Sequence, residues 1–112
     1  MLSPTVSPSS NPLDRHAELL SRALRYVDAH LPERLDAATL ADHAAMSRHH
    51  FHRVFQARVG CSVAQYVVWC RLQRACAMLL SGRESVLDVA LAVGYESAQA
   101  LSKAMRRELN TT

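Results

Sequence analysis

The most restrictive feature of this 112-residue chain is a duplication. Leu40-Ala41-Asp42-His43-Ala44-Ala45-Met46-Ser47 can be laid against Val89-Ala90-Leu91-Ala92-Val93-Gly94-Tyr95-Glu96-Ser97. With one extra residue in the second turn, the two serines align. Beyond them Phe51 corresponds to Leu101, Arg53 to Lys103, Phe55 to Met105, Val59 to Leu109 and Gly60 to Asn110. Each copy reads as a short helix, a tight turn and a serine-capped second helix with a basic residue at its middle. That is the pattern of a helix-turn-helix, in which the first helix braces and the second is shaped to enter a major groove.

The residues that start and stop helices extend this reading to the whole chain. Residues 1–12, rich in Ser, Pro and Thr with little to bury, are expected to form a disordered tail. Leu13, Ala17, Leu20, Leu24, Val27 and Leu31 recur at helical spacing, with Asp14 as N-cap and Pro32 as stop. Asp36 caps a short helix to about Ala45, and Ser47 caps one that Gly60 closes. Ser62 caps a long helix over Val63 to Ser81, closed by Gly82. Ser85 caps a short helix ending before Gly94, and Ser97 caps a last one to about Leu109. No alternating apolar and polar run bounded by turns suggests a strand. The expectation is an all-α fold: a first helix-turn-helix subdomain over 13–61, a linker helix over 62–82 and a second subdomain over 83–112, both homeodomain-like three-helix units.

Helical periodicity assigns the faces. In the first copy Phe51, Val54, Phe55 and Val59 share one side, with Arg48, His49, His52, Arg53 and Gln56 opposite. In the second, Leu101, Met105 and Leu109 point inward and Ala98, Gln99, Ser102, Lys103 and Arg106 outward. Both outward faces are rich in donors and free of acids. A groove-reading helix needs this, because carboxylates would meet phosphates and guanine presents only acceptors in the major groove. The formal charge of +3 is unevenly spread. Residues 1–46 hold four arginines and six acids; residues 47–112 hold nine Lys and Arg and four acids. From Ser47 to Arg83 there are six arginines and no acid, which suits a polyanion or an ordinary solvated basic surface. The linker, about 28 Å long at 1.5 Å per residue, can hold two reading helices about one duplex turn apart.

Other classes lack support. No apolar run approaches the roughly 20 residues that cross a bilayer, so no membrane partner is expected. The N-terminus has no basic stretch followed by an apolar one, which points to the cytoplasm. Cys61, Cys70 and Cys76 are odd in number and have no CxxC spacing, so they read as reduced, partly buried thiols. His43, His49, His50 and His52 cluster in sequence. On a helix only His49 and His52 share a face, so no metal site and no cofactor is expected. No phosphate-binding glycine loop, HExxH or activated nucleophile indicates an enzyme.

The residues resemble the DNA-binding domain of the AraC/XylS family of transcription regulators. The matching stretches are Leu40-Ala41, Met46 to Phe55, Gly60-Cys61-Ser62-Val63 and Tyr66, then Arg71-Leu72, Ala75, Leu79-Leu80, Ser85 to Ala90 and Gly94-Tyr95-Glu96-Ser97. The resemblance covers about residues 16–110. It implies a bacterial regulator that binds double-stranded DNA. Position by position it implies His49, His52, Arg53, Gln99, Ser102 and Lys103 as base readers. Ser47, Arg48, Ser97, Lys103 and Arg106 would hold phosphates through side chains and helix-start amides. RNA polymerase, and an effector domain or partner chain not visible in this sequence, are further expected partners. Three departures stand out. The family follows the last reading helix with a Gly, a Pro and a closing Tyr, whereas this sequence stops at Leu109-Asn110-Thr111-Thr112. Met105 replaces a commoner aromatic. Val68-Trp69-Cys70 stands where the linker is usually basic. The first two predict a loosely held second unit. Trp69 is expected to be buried, since Trp is highly buried on average; exposed, it would make the linker a protein-interaction patch, the rival to DNA binding.

Overall fold

A computed structural model describes residues 12–109, and all regular structure among them is helical. The order is α1 (Pro12–Ala29), α2 (Ala37–His43), α3 (Arg48–Val59), α4 (Val63–Ser81), α5 (Val86–Ala92) and α6 (Ala98–Leu109). Proline at the first helical position has no amide to leave unpaired and a φ already suited to the helix. α1 therefore starts at Pro12, and Asp14, expected as its cap, lies inside the first turn. Apart from Pro12, the expected tail lies outside the described residues. α1 buries Leu19, Leu20, Ala23 and Val27, with Leu31 just beyond its end; Ala17, expected on that face, is exposed.

The later helix starts form as local chemistry dictates. The Asp36 carboxylate accepts from the Thr39 amide at 2.9 Å, and the Ser47, Ser85 and Ser97 hydroxyls accept from the amides three residues on at 3.0–3.2 Å. Ser62 accepts from Gln65 N at 3.1 Å while the Gln65 side chain accepts from Ser62 N at 3.1 Å, a reciprocal capping box. α2 stops at His43 rather than near Ala45, because Ala45 itself turns left-handed, with φ 57°. The two helix-turn-helix turns carry the same long hydrogen bond: Met46 N donates to Ala41 O at 3.0 Å, and Tyr95 N donates to Ala90 O at 2.8 Å. The register of the repeat is thus written into the backbone. Gly94 takes the left-handed position that Ala45 holds in the first copy.

Two apolar clusters share one helix. The first gathers α1, α2 and α3 around Val27, Leu31, Leu40, Phe51 and Phe55, with Val63 and Val67 from α4. The second gathers Val89, Ala90, Val93, Leu101 and Ala104 against Leu72 and Ala75, again from α4. Leu79 is half-buried at the margin of the second cluster. Tyr26 stacks between His30 and His43, at centroid distances of 3.9 and 3.8 Å, and so joins α1 to α2. Among the described residues no polar or charged residue is buried.

Two outcomes follow from these turns. A left-handed non-glycine residue costs about 1–2 kcal/mol, so Ala45→Gly should raise stability by up to about 1 kcal/mol after the glycine's own entropy cost. Urea unfolding would show a higher midpoint at unchanged slope; a lower midpoint would mean the turn is unstrained. The Thr39 amide, then the Thr39 hydroxyl, hold the Asp36 carboxyl below its ordinary value, with Arg34 adding and desolvation opposing. A depressed folded pKa contributes stability that is present above the unfolded value of about 3.9 and lost as pH falls through the folded one. Asp36→Asn keeps the cap without the charge, so the wild type's advantage over it should shrink as pH is lowered from neutral to below about 4. A constant difference across that range would exclude the contribution.

Candidate nucleic-acid interface

α3 is positioned by its own apolar stripe. Phe51 and Phe55 are fully buried, with ring centroids 5.6 Å apart, and Phe55 meets Tyr66 of α4 edge-on at 5.7 Å. Val54 and Val59 are half-buried. With that side pinned, Arg48, His49, His52, Arg53 and Gln56 are all left exposed, and the first turn holds no acid. The expected readers His49, His52 and Arg53 therefore share one solvent face. His52 joins two shallow hollows, one with Ala37, Arg48 and His49, the other with His16, Arg53 and Gln56. His50 lines the second of these hollows from the flank, where its Nε2 lies 3.3 Å from His16 Nε2 of α1 and the rings meet edge-on. No periodicity in the sequence signals this pair, because its members are 34 residues apart. Among the described residues no group of three or more His, Cys, Asp or Glu is placed to hold a metal ion.

α6 repeats the arrangement with less cover. Leu101 and Ala104 are buried and Met105 is half-buried, but Leu109, expected inward, is 38% exposed. Gln99, Lys103 and Arg106 face solvent, while Ser102 is half-buried and so presents only part of its side chain. The Ser47 and Ser97 hydroxyl oxygens are engaged as caps. That leaves the hydroxyl hydrogens and the first amides of each helix as the groups able to meet an anion.

The basic stretch from Ser47 to Arg83 is less open than its count suggests. Arg74 NH2 donates to the Asp28 carboxylate at 3.0 Å, and Arg71 donates to carbonyls at the end of α1, so two of the six arginines are turned back on the first unit. Trp69, expected to be buried, is 54% exposed. It sits two residues past buried Val67, on the far side of α4, where it leans on Tyr66 at 6.3 Å and lines a cleft with Val59, Leu72 and Leu109. Burial and then the neighbouring Cys70 push the Tyr66 hydroxyl up to about 12, so it stays neutral. Cys61, Cys70 and Cys76 are free and half-buried.

Two serine-capped helices, each exposing a donor-rich face beyond a tight turn and both backed by one long helix, define a tandem helix-turn-helix domain. The profile of the helix-turn-helix domain family matches residues 40–112, and the chain belongs to the AraC/XylS family of transcription regulators. It is similar to the uncharacterized regulator YbfP of Bacillus subtilis, at 30% identity over 82% of this chain and 31% of that protein. It is similar to the regulator ArgR of Pseudomonas aeruginosa, at 29% identity over 94% of this chain and 32% of that one. The chain thus spans about a third of those relatives, but 91% of the regulatory protein SoxS of Salmonella typhimurium, at 25% identity. Among solved structures it resembles an AraC-type regulator from Chromobacterium violaceum, with a TM-score of 0.78, 27% identity and 86% of each chain covered. It also resembles the DNA-binding domain of AdpA, solved in complex with a target DNA, with a TM-score of 0.73, 33% identity and 88% and 85% of the chains covered. No described helix is long and apolar enough to cross a membrane.

The two units differ in the cover their reading helices receive. Among the described residues the first cluster holds thirteen buried side chains and the second seven, so α6 should open more readily than α3. Hydrogen exchange on the free protein is expected to be faster over 98–109 than over 48–59. Equal protection would show that the smaller cluster suffices.

Proposed function

We propose that this chain binds double-stranded DNA sequence-specifically, with α3 and α6 in adjacent major-groove segments of one duplex. The observation that carries the reading is the pair of exposed, donor-rich faces, His49/His52/Arg53 on α3 and Gln99/Lys103 on α6, backed by the common helix α4. At 48 Å in its longest dimension the molecule can span the roughly 34 Å between successive major-groove segments. Arg53 offers a bidentate fork to guanine O6 and N7, and Gln99 a matching pair of groups to adenine N6 and N7. Ser102 is assigned a lesser part in reading, in keeping with its partial burial. Arg48, Lys103 and Arg106, with the amides after Ser47 and Ser97, serve the phosphates.

The smaller cover over α6 supports a division of labour in which the first unit dominates specificity and the second grips mainly the backbone. The subdomain boundaries at 61/62 and 82/83, a cytoplasmic location, and RNA polymerase and an effector domain or partner chain as further partners belong to the same proposal. The greater length of YbfP and ArgR leaves room in such proteins for a sensing domain. A second reading, protein contact through α4, is favoured by the exposure of Trp69. Salt separates the two, because phosphate contacts weaken steeply as salt rises and apolar contacts do not.

Selection from random duplexes, followed by titration of the enriched site, tests the reading. Arg53→Ala should cost about 1–3 kcal/mol on that site and relax preference at one base pair. Arg106→Ala should weaken all sequences alike and flatten the log–log salt slope by about one unit. Equal losses on selected and random DNA for Arg53→Ala would remove it from the base readers. Failure to enrich any sequence would sink the proposal.

A further inference from the structure

Arg71 lies on α4, and its guanidinium is turned onto backbone carbonyls of the first unit. Its Nε donates to Leu31 O at 3.2 Å and its NH2 donates to Glu33 O at 2.9 Å, both carbonyls of the turn that leaves α1. The turn of the second helix-turn-helix closes on the same point. At Gly94, φ is +101°, and a Cβ there would lie 2.7 Å from Leu31 O and 3.1 Å from Arg71 Cζ and Nε. Three segments therefore meet around one side chain: the α1–α2 turn of the first unit, the shared helix and the α5–α6 turn of the second unit.

The repeat supplies an internal control. Ala45 occupies the equivalent left-handed position in the first copy and carries its Cβ into solvent. Left-handed geometry alone therefore tolerates a side chain in this turn. What the second copy cannot accommodate is a Cβ against a backbone carbonyl of the other unit. Gly94 marks a close approach between the units as well as a turn.

We propose that Arg71, seated against Gly94, is a latch that fixes the angle between the two reading helices and so sets the half-site spacing the chain accepts. The spacing part rests on the DNA-binding reading above. Each unit packs on its own stretch of α4, so along the helix axis alone they are joined by one rod that can bend and twist. A contact off that axis removes those motions. Arg suits the task because its planar, permanently charged fork reaches two carbonyls at once and still presents a flat face to a glycine. Arg74, one turn further along α4, ties that helix only to Asp28 of α1 and so is the natural control.

Amide residual dipolar couplings on the free protein test the latch without DNA. In the wild type and in Arg74→Ala, couplings from α2–α3 and from α5–α6 should fit one alignment tensor. In Arg71→Ala each unit should fit its own, with chemical shifts inside both cores unchanged. Arg71→Lys, which keeps the charge but loses the fork, should not restore the single tensor. One shared tensor in Arg71→Ala overturns the latch. The consequence for DNA is read on the selected site with one base pair inserted between the half-sites, a rotation of about 34°. The insertion should cost the wild type about tenfold or more in affinity, and Arg71→Ala several-fold less. An equal penalty in both overturns the spacing role. A wild type that selects no DNA would count against the proposed function alone and leave the tensor result standing.

Discussion

Everything in this molecule leans on α4. α5 and α6 are too short a pair to enclose a core, and a helix-turn-helix that small normally needs another wall to bury its apolar side. α4 provides that wall twice, with Val63 and Val67 toward the first cluster and Leu72 and Ala75 toward the second. Because one continuous helix serves both, the units cannot drift apart without exposing apolar surface. The serine box at its start and Gly82 at its end set where that wall begins and stops.

The same sharing disposes the polar groups. With no polar or charged residue buried among the described residues, their side-chain donors are all at least partly exposed. Which part of the surface is then decided by the apolar stripe on the other side of each helix. Phe51 and Phe55 turn His49, His52 and Arg53 outward, and Leu101 and Ala104 do so for Gln99 and Lys103. Charge refines the picture. Arg71 and Arg74 hold the scaffold together, so the positive face rests more on α3 and α6 than the composition of the linker suggests.

Much of the candidate site's exposed surface was legible before the structure, because the face an amphipathic helix leaves outside is defined by its own period. The exposed faces of α3 and α6 follow from residues three and four apart, and Ala98, Ser102 and Leu109, all on α6, sit differently from that expectation. They lie on the more thinly covered helix, where a boundary between inside and outside is set by what packs alongside rather than by spacing. Trp69 failed for a related reason. Its average tendency to be buried says nothing about which side of α4 the two clusters occupy, and it falls on the side they leave open.

By itself, the sequence determined the helix starts from α2 onward, the glycine stops of α3 and α4, and the repeat with its one-residue offset, since a serine accepting an amide three residues on, or a glycine turning left-handed, acts within a single turn of chain. Tertiary structure alone decided that His50 would meet His16 and that Arg71 would reach Leu31 and Glu33. These contacts join residues 34 to 40 apart. No period or cap encodes a distance of that kind. It is set only when both apolar clusters close on the two halves of α4 and bring the turns of the two units together.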